Sequence, residues 1–526
     1  MSVPFQAKSR VGWQDIVLSF LPPAKRTAQV RERLTALRLP LILLVQAALT
    51  WRLNDIASDD EALYIHGGHV VIAYLTQGGA ANAALVRFYG TFFSGTPYAY
   101  PVVEAALDST GGLLLVRLFS LLLMLIASVC VYRIGRHLFS ENVALLASLV
   151  FAFTGSVQYI GKYATYDAPC AALLALAAAV AITRRSLPSA LVVGVLLALA
   201  GVVKYAGLAV VPFVLLMTFL ATLAPPGGSG GRNLLRAVLR GGLATAVFGG
   251  LLLGGYHLWG SGLAAGIKFT TTARQALDPQ PLPFLLESLL YDIGLTWILA
   301  ICGILLMLRR RAWSKALLLV VMLGAGSVIQ LSSLRIHEFT SLDKHTAFSG
   351  LFCAVPAAVA LSWMFSKRGR GVLATLAVVW LLLIDGMWRS SLEYSWPSSI
   401  IQPINEIKSL NIPGRYFSFD SDSGQYYTQE NQAIVWYPTA SAFSLFSQGL
   451  PQVVAMEKSH EFTGFLFQTT NLSSQDLSEL HVLQRMLAAD HYYYKTSTVP
   501  VSPYTKAVWQ LWIHYPTGYH GPSLKA

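Results

Sequence analysis

The sequence predicts a mainly α, polytopic membrane helix bundle of about eleven transmembrane helices, carrying a C-terminal extracytoplasmic α/β domain. Three observations predict it. Hydrophobic residues make up 54% of the 526 positions and charged residues only 12%, with a mean hydropathy of +0.54, a balance foreign to a water-soluble chain of this length. Apolar runs recur from Leu37 to Trp388, most of them near the ~20 residues a helix needs to cross ~30 Å of hydrocarbon. Lys and Arg gather in alternate loops between those runs, as the excess of positive charge on cytoplasmic loops requires.

The runs place spans at 37–53, 113–133, 142–160, 168–183, 189–203, 205–224, 242–259, 289–308, 313–334, 347–365 and 372–388. Basic clusters precede the first span (Lys25, Arg26, Arg31, Arg33, Arg38) and recur at Arg133 with Arg136, Arg184 with Arg185, Arg232 with Arg236 and Arg240, Arg309 to Arg311, and Lys367 to Arg370. This alternation puts the N-terminus in the cytoplasm. It leaves loops 54–112, 161–167, 260–288 and 335–346, and everything after 389, outside the membrane. The formal charge of +12 is then a topology signal, and no nucleic-acid partner is expected.

Met1 to Arg38 has no apolar core before a small-residue cleavage site, so the first span is expected to act as an uncleaved signal anchor. Cys130, Cys170, Cys302 and Cys353 all fall inside spans, where each acts as a small apolar residue, and no disulfide or metal framework is indicated. The stretch Pro225 to Gly231 reads as a flexible cytoplasmic linker.

The chain thus divides into a membrane half, 1–388, and an extracytoplasmic α/β domain, 389–526. In the latter, 415–419, 433–436 and 452–456 are expected as strands and 474–489 as a helix capped near Ser473 or Ser474. Its tyrosines and tryptophans are mostly core material.

Chemistry is expected in the first external loop, where Asp59, Asp60 and Glu61 follow the first span directly. Carboxylates there cap a helix and favour its dipole, and one of them can also take a proton from an acceptor hydroxyl or amine. Asp60-Glu61-Ala62-Leu63-Tyr64 resembles the Asp-Glu motif of the GT-C superfamily, which includes protein O-mannosyltransferases and lipid A aminoarabinose transferases. His66 and His69 follow one turn on, and Gly95 to Pro101 forms a turn before the second span. Lys162 to Pro169 is similar to the family's second acidic loop, and Lys204-Tyr205 to its lysine-tyrosine pair ending a short helix. The chain departs from the aminoarabinose-transferase pattern at Leu63, where that group has arginine, and in lacking a lysine between Gly95 and Pro101.

The resemblance implies a polyprenyl-phosphate-sugar-dependent glycosyltransferase of the cell membrane, acting with inversion on an unknown glycan, lipid or protein acceptor at the external face. Asp60 is then the general base, and Asp167 orients the acceptor or a metal. Lys204, Arg335, Lys344 and His345 are expected around the donor phosphate, near the boundary where buried charge needs a partner, with Lys162 and His337 behind them. Asp59, Glu61, Tyr64, His66, Tyr100, Lys162 and Tyr205 shape the site or meet the acceptor. No tightly bound metal is expected, although some relatives in the superfamily use a divalent cation. Arg117, inside a span, is expected to be buried against a partner. The competing class, a transporter or flippase of a lipid-linked glycan, would more typically show broken segments in corresponding positions of two halves, and the sequence shows no such symmetry.

The topology makes a direct prediction. A reporter that is active only outside the cytoplasm, fused after residue 400, is expected to be active. A fusion active only in the cytoplasm would reverse every loop assignment above.

Overall fold

The structure, a computed structural model, describes residues 37–53, 56–57, 59–90, 95, 99–223, 230–259, 267–268, 279–339, 341–367, 369–393, 400–418, 421–431, 433–437, 453–469, 474–500 and 508–514. The basic stretch up to Arg33, Ser58, residues 96–98 of the predicted turn, the linker at 225–229, most of the 260–288 loop, Gln452 and Ser473 lie outside them.

The membrane half opens with α1 (Arg38–Trp51), α2 (Asp59–Gln77), α3 (Ala80–Gly90) and α4 (Tyr100–Leu138). It continues through α5 (Glu141–Phe153), α6 (Gly155–Lys162), α7 (Asp167–Thr183), α8 (Leu187–Val203), a 3₁₀ turn (Tyr205–Ala209) and α9 (Val211–Leu223). Five long helices close it: α10 (Gly230–Trp259), α11 (Leu282–Arg309), α12 (Trp313–Arg335), α13 (Leu342–Phe365) and α14 (Arg370–Glu393). Among the described residues six helices, α4 and α10 to α14, are long and apolar enough to cross a membrane, or seven if the pair α5–α6, bent by 66°, is one span. The chain is a multi-pass membrane protein. Each predicted span meets a helix, four of them shorter apolar ones: α1, α7, α8 and α9.

Several boundaries differ from expectation, with α10 and α11 starting earlier, at Gly230 and Leu282, and three other differences have a local reason. The helix at 113–133 extends back to Tyr100 because two helices meet end to end at Gly111 and Gly112. Gly112 has φ +64° and ψ −171°, a conformation open to glycine and costly for other residues, and this breaks the rod. The span at 205–224 is split, since Lys204 is extended (φ −144°, ψ +118°) and Tyr205 opens a 3₁₀ turn. The Asp343-Lys344-His345 triplet, expected in a loop, lies in the first turn of α13, where Asp343 suits the helix dipole.

Helix α13 is the innermost span, with 78% of its most apolar stretch buried, against 17% for α10 and α14 at the rim. Without a solvent-driven hydrophobic force, helices in lipid associate through small residues that let backbones approach, and α13 is rich in alanine (Ala347, Ala354, Ala357, Ala358, Ala360). Its closest approach is to α11, where a Cβ on Gly303 would stand 2.0 Å from the Pro356 carbonyl oxygen. Their shared core continues into α5, α7, α8 and α12 through Phe151, Leu174, Val193, Met322, Phe348 and Phe352.

After α14 come α15 (Ile401–Leu410), β1 (Gly414–Ser418), α16 (Ser421–Thr428), β2 (Ile434–Trp436), β3 (Phe462–Gln468), α17 (Ser474–Ala489), β4 (Tyr493–Pro500) and β5 (Val508–His514). The strands form one mixed sheet in the order β2-β1-β3-β5-β4, with β1 parallel to β2 and β3, and β5 antiparallel to β3 and β4. Alternation along the strands sends Tyr416, Leu466, Leu511 and Ile513 to the face covered by Ile404 and Ile407 of α15. Phe417, Phe465 and Phe467 face Leu480, Leu483 and Leu487 of α17.

The first two predicted strands are present. The third is not, because 453–458 is helical, with Val453 and Met456 one turn apart against the α17-side core. Strands β3 to β5 lie outside the sequence expectation, although Val508–His514 alternates buried and half-buried in strand period.

The α11–α13 contact generates a stability prediction. Gly303→Val forces a side chain into backbone and is expected to cost about 3 kcal/mol, read as earlier thermal unfolding in detergent. Gly254→Ala, with nothing within 4 Å of its Cβ position, is expected to be neutral or slightly stabilising. Equal behaviour of the two variants would contradict this packing.

Candidate active site

The three acidic residues after the first span occupy the first turn of α2, where the positive end of the helix favours anions. They meet different fates. Glu61 is fully buried and held by Arg117 from α4 in a two-pronged ion pair, Nε to Oε1 at 3.0 Å and Nη2 to Oε2 at 2.7 Å. The Ala164 backbone N–H donates to the same Oε1 at 2.7 Å, and Arg117 Nη2 donates to the Ile56 carbonyl at 2.7 Å. One buried pair therefore joins the start of α2, the membrane-entering part of α4 and the second acidic loop. Arg117 has the partner its place in a span required.

Asp60, the neighbouring residue, is about a third exposed and forms an ion pair with Lys344 from the first turn of α13. The candidate base and a candidate phosphate ligand, 284 residues apart in sequence, thus meet at a partly open position. Asp167, the first residue of α7, pairs with Lys204 at 2.5 Å and accepts from Thr165 Oγ1 at 3.1 Å, both charges being buried. The Lys344 ammonium also acts on Asp167, so the two pairs belong to one electrostatic unit.

The remaining candidates surround these pairs or lie apart from them. Tyr64 and Tyr100 pack on Tyr166, with ring centroids at 4.4 and 5.4 Å, and Tyr205 is buried beside Lys204 at the head of the 3₁₀ turn. Lys162 is buried at the end of α6, its ammonium 3.4 Å from the centroid of the Trp51 ring, a cation–π contact. His345 is buried in α13, its carbonyl accepting from Gln330 Nε2 at 2.6 Å. Arg335 is exposed at the end of α12, and His337 sits just beyond it with Nδ1 2.9 Å from the Gln280 carbonyl. The side chain of Asp59 is outside the described residues.

His66 and His69 do not converge. His69 Nε2 lies 2.8 Å from Asp108, while His66 faces the Tyr89 ring, and burial together with the His69 charge pushes its imidazole down to about 4. Among the described residues no three His, Cys, Asp or Glu side chains are arranged to hold a metal ion.

One acid escaped the sequence reading. Glu104 is fully buried beside Tyr100 and Ser120, with the Tyr100 hydroxyl facing both. The cluster thus holds three ion pairs, Glu61–Arg117, Asp60–Lys344 and Asp167–Lys204, and a fourth acid outside them. A carboxylate one turn past Tyr100, ahead of a span that itself carries an arginine, was the available signal.

Comparison with known proteins follows the same lines. Residues 109–227 match the family model of dolichyl-phosphate-mannose-protein mannosyltransferases. No curated protein matches the chain. ArnT from Cupriavidus metallidurans, solved in the apo state and bound to undecaprenyl phosphate, is similar in structure with a TM-score of 0.58 at 12% identity, covering 90% of this chain and 97% of that one. The chain shares the fold of that protein. The archaeal oligosaccharyltransferase AglB from Archaeoglobus fulgidus, in complex with an inhibitory peptide and a dolichol-phosphate, gives a TM-score of 0.49 at 11% identity over 82% of this chain and 69% of that one. The resemblance read from the sequence agrees with that shared fold and with the mannosyltransferase family model, whose match at residues 109–227 does not include the Asp60-Glu61 motif.

Within this bundle Glu61 is an anchor, and its removal is expected to be structural. Glu61→Ala leaves Arg117 buried without its counter-charge, which typically costs 3–5 kcal/mol on the order of such broken pairs. Thermal unfolding in detergent is expected to fall sharply for the single variant and to recover largely in Glu61→Leu with Arg117→Met. A double variant no more stable than the single one would contradict the anchor role.

Proposed function

We propose that the chain is an inverting membrane glycosyltransferase that moves a sugar from a polyprenyl-phosphate donor to an acceptor at the external face, with Asp60 as general base. The observation that carries this is the Asp60–Lys344 pair, which places a proton acceptor and a phosphate-seeking cation side by side at the one partly open position of the charge cluster. The likeness to a fold solved with undecaprenyl phosphate, and the match to mannosyltransferases named for dolichyl phosphate, support a lipid-linked donor.

In this reading all eleven apolar segments cross the membrane, the N-terminus is cytoplasmic, and the domain after 389 stands outside above the site. The acceptor oxygen or nitrogen attacks the anomeric carbon and its proton passes to the Asp60 carboxylate. The bond from that carbon to the phosphate oxygen breaks, and the polyprenyl phosphate leaves with the electron pair. Attack opposite the leaving group inverts the centre, so no covalent protein intermediate is needed. Lys344 has three donors, enough to hold the phosphate while still touching Asp60. Lys204 and Asp167 lie behind this pair, Lys204 adding positive potential toward the phosphate and Asp167 fixing Lys204 and the acceptor side. His345, next to Lys344 in α13, and the exposed Arg335 are further candidates for contacts with the donor.

Asp60→Asn keeps shape and hydrogen bonding while removing proton affinity. Release of polyprenyl phosphate from a labelled lipid-linked sugar is expected to slow by about 10²–10⁴, with donor affinity little changed. The pair is partly exposed, so the fold is expected to survive. Full transfer by the folded Asp60→Asn protein would sink the base assignment.

A further inference from the structure

The catalytic segment is gripped from the far end of the chain. Helix α16, after β1, reaches three separate parts of the membrane half. Tyr427 Oη accepts from the Ala57 backbone N–H at 2.6 Å. Tyr426 Oη donates to Asp108 Oδ1 at 2.8 Å, the acid that also meets His69 and, at 3.4 Å, Gln429. Gln425 Oε1 accepts from Tyr89 Oη at 2.5 Å. The helix is itself fixed to the sheet, since Trp436 Nε1 donates to Thr428 Oγ1 at 2.9 Å.

One of these contacts falls on residues 56–57, the last described before α2 and its Asp60. The Ile56 side chain packs against the α15-side core of the C-terminal sheet, its carbonyl accepts from Arg117, and the Ala57 amide is held by Tyr427. Ala57 is fully buried, packed with Ala62, Ile65, Ala164 and Tyr426. A buried amide in this position needs a partner, and the partner comes from the other domain.

We propose that α16 is a positioning clamp for the Asp60 segment and that Tyr427 is its principal residue, an inference that rests on the reading of Asp60 above. The clamp fixes where α2 begins, and therefore where the Asp60 carboxylate stands relative to Lys344. It makes the C-terminal domain part of the site through the position it gives to α2.

Tyr427→Phe removes the acceptor and leaves the ring. A hydrogen bond worth roughly one decade in an equilibrium predicts that Ala57 amide exchange, followed by mass spectrometry of the full-length protein in detergent, accelerates about tenfold. Turnover is expected to fall about five- to tenfold with the donor KM unchanged, because the base is displaced while the phosphate contacts remain. Tyr416→Phe is the control. Its hydroxyl donates to the Ile412 carbonyl at 2.9 Å within the C-terminal domain, so it removes a comparable bond and is expected to leave both readouts at wild-type values. Unchanged exchange at Ala57 in Tyr427→Phe overturns the clamp, as does an equal loss of turnover in Tyr416→Phe. If the wild-type protein releases no polyprenyl phosphate from any lipid-linked sugar, the enzymatic reading fails, while the exchange comparison still decides the clamp.

Discussion

The buried pair between Glu61 and Arg117 organises everything around it. A carboxylate and a guanidinium taken out of water are tolerable only if nearly every lone pair and N–H finds a partner, and here the Ala164 amide and the Ile56 carbonyl take up the remainder. Those two backbone groups lie on either side of the site. The price of burying the charges therefore becomes a geometric constraint, in which the loop leading to Asp60 and the loop leading to Asp167 cannot move apart without stripping a buried ion. Asp60 and Asp167 gain fixed positions from a neighbour that does no chemistry.

The bundle was largely legible because lipid imposes a simple rule. A segment that crosses must satisfy its own backbone, so apolar length and flanking charge report helices almost directly, and each predicted span meets one. The bends were harder. Gly111–Gly112 coincides with the start of the predicted span at 113, but the helix that runs back from it to Tyr100 was not expected, and the break between α5 and α6 at Thr154 falls inside the apolar run 142–160. In the C-terminal domain the difficulty was different. Aromatic segments such as Phe462–Gln468 gain strand character from partners distant in sequence, while Val453 and Met456 pack as a helix face where β-branched residues had suggested a strand.

The site was legible residue by residue but not in its pairing. Asp60, Asp167, Lys204 and Lys344 were each visible as charges near a boundary. That Lys344 belongs with Asp60 and Lys204 with Asp167 depends on how α13 and α8 are threaded into the bundle, which spacing along the chain does not encode. Glu104 was passed over because a single acid near a span end resembles ordinary interfacial charge. Only its complete burial, beside the Tyr100 hydroxyl and outside the three ion pairs, distinguishes it.

The contact between Ala57 and Tyr427 also has a temporal side. Chains are synthesised from the N-terminus and the membrane helices are inserted as they emerge. Ala57 is among the first residues to be delivered beyond the first helix, yet its partner follows 370 positions later, after all the apolar segments have been made. A nascent chain halted anywhere before that point carries Asp60 without the bond that fixes its approach. The contacts that hold the Asp60 segment are thereby completed only when synthesis has passed Tyr427.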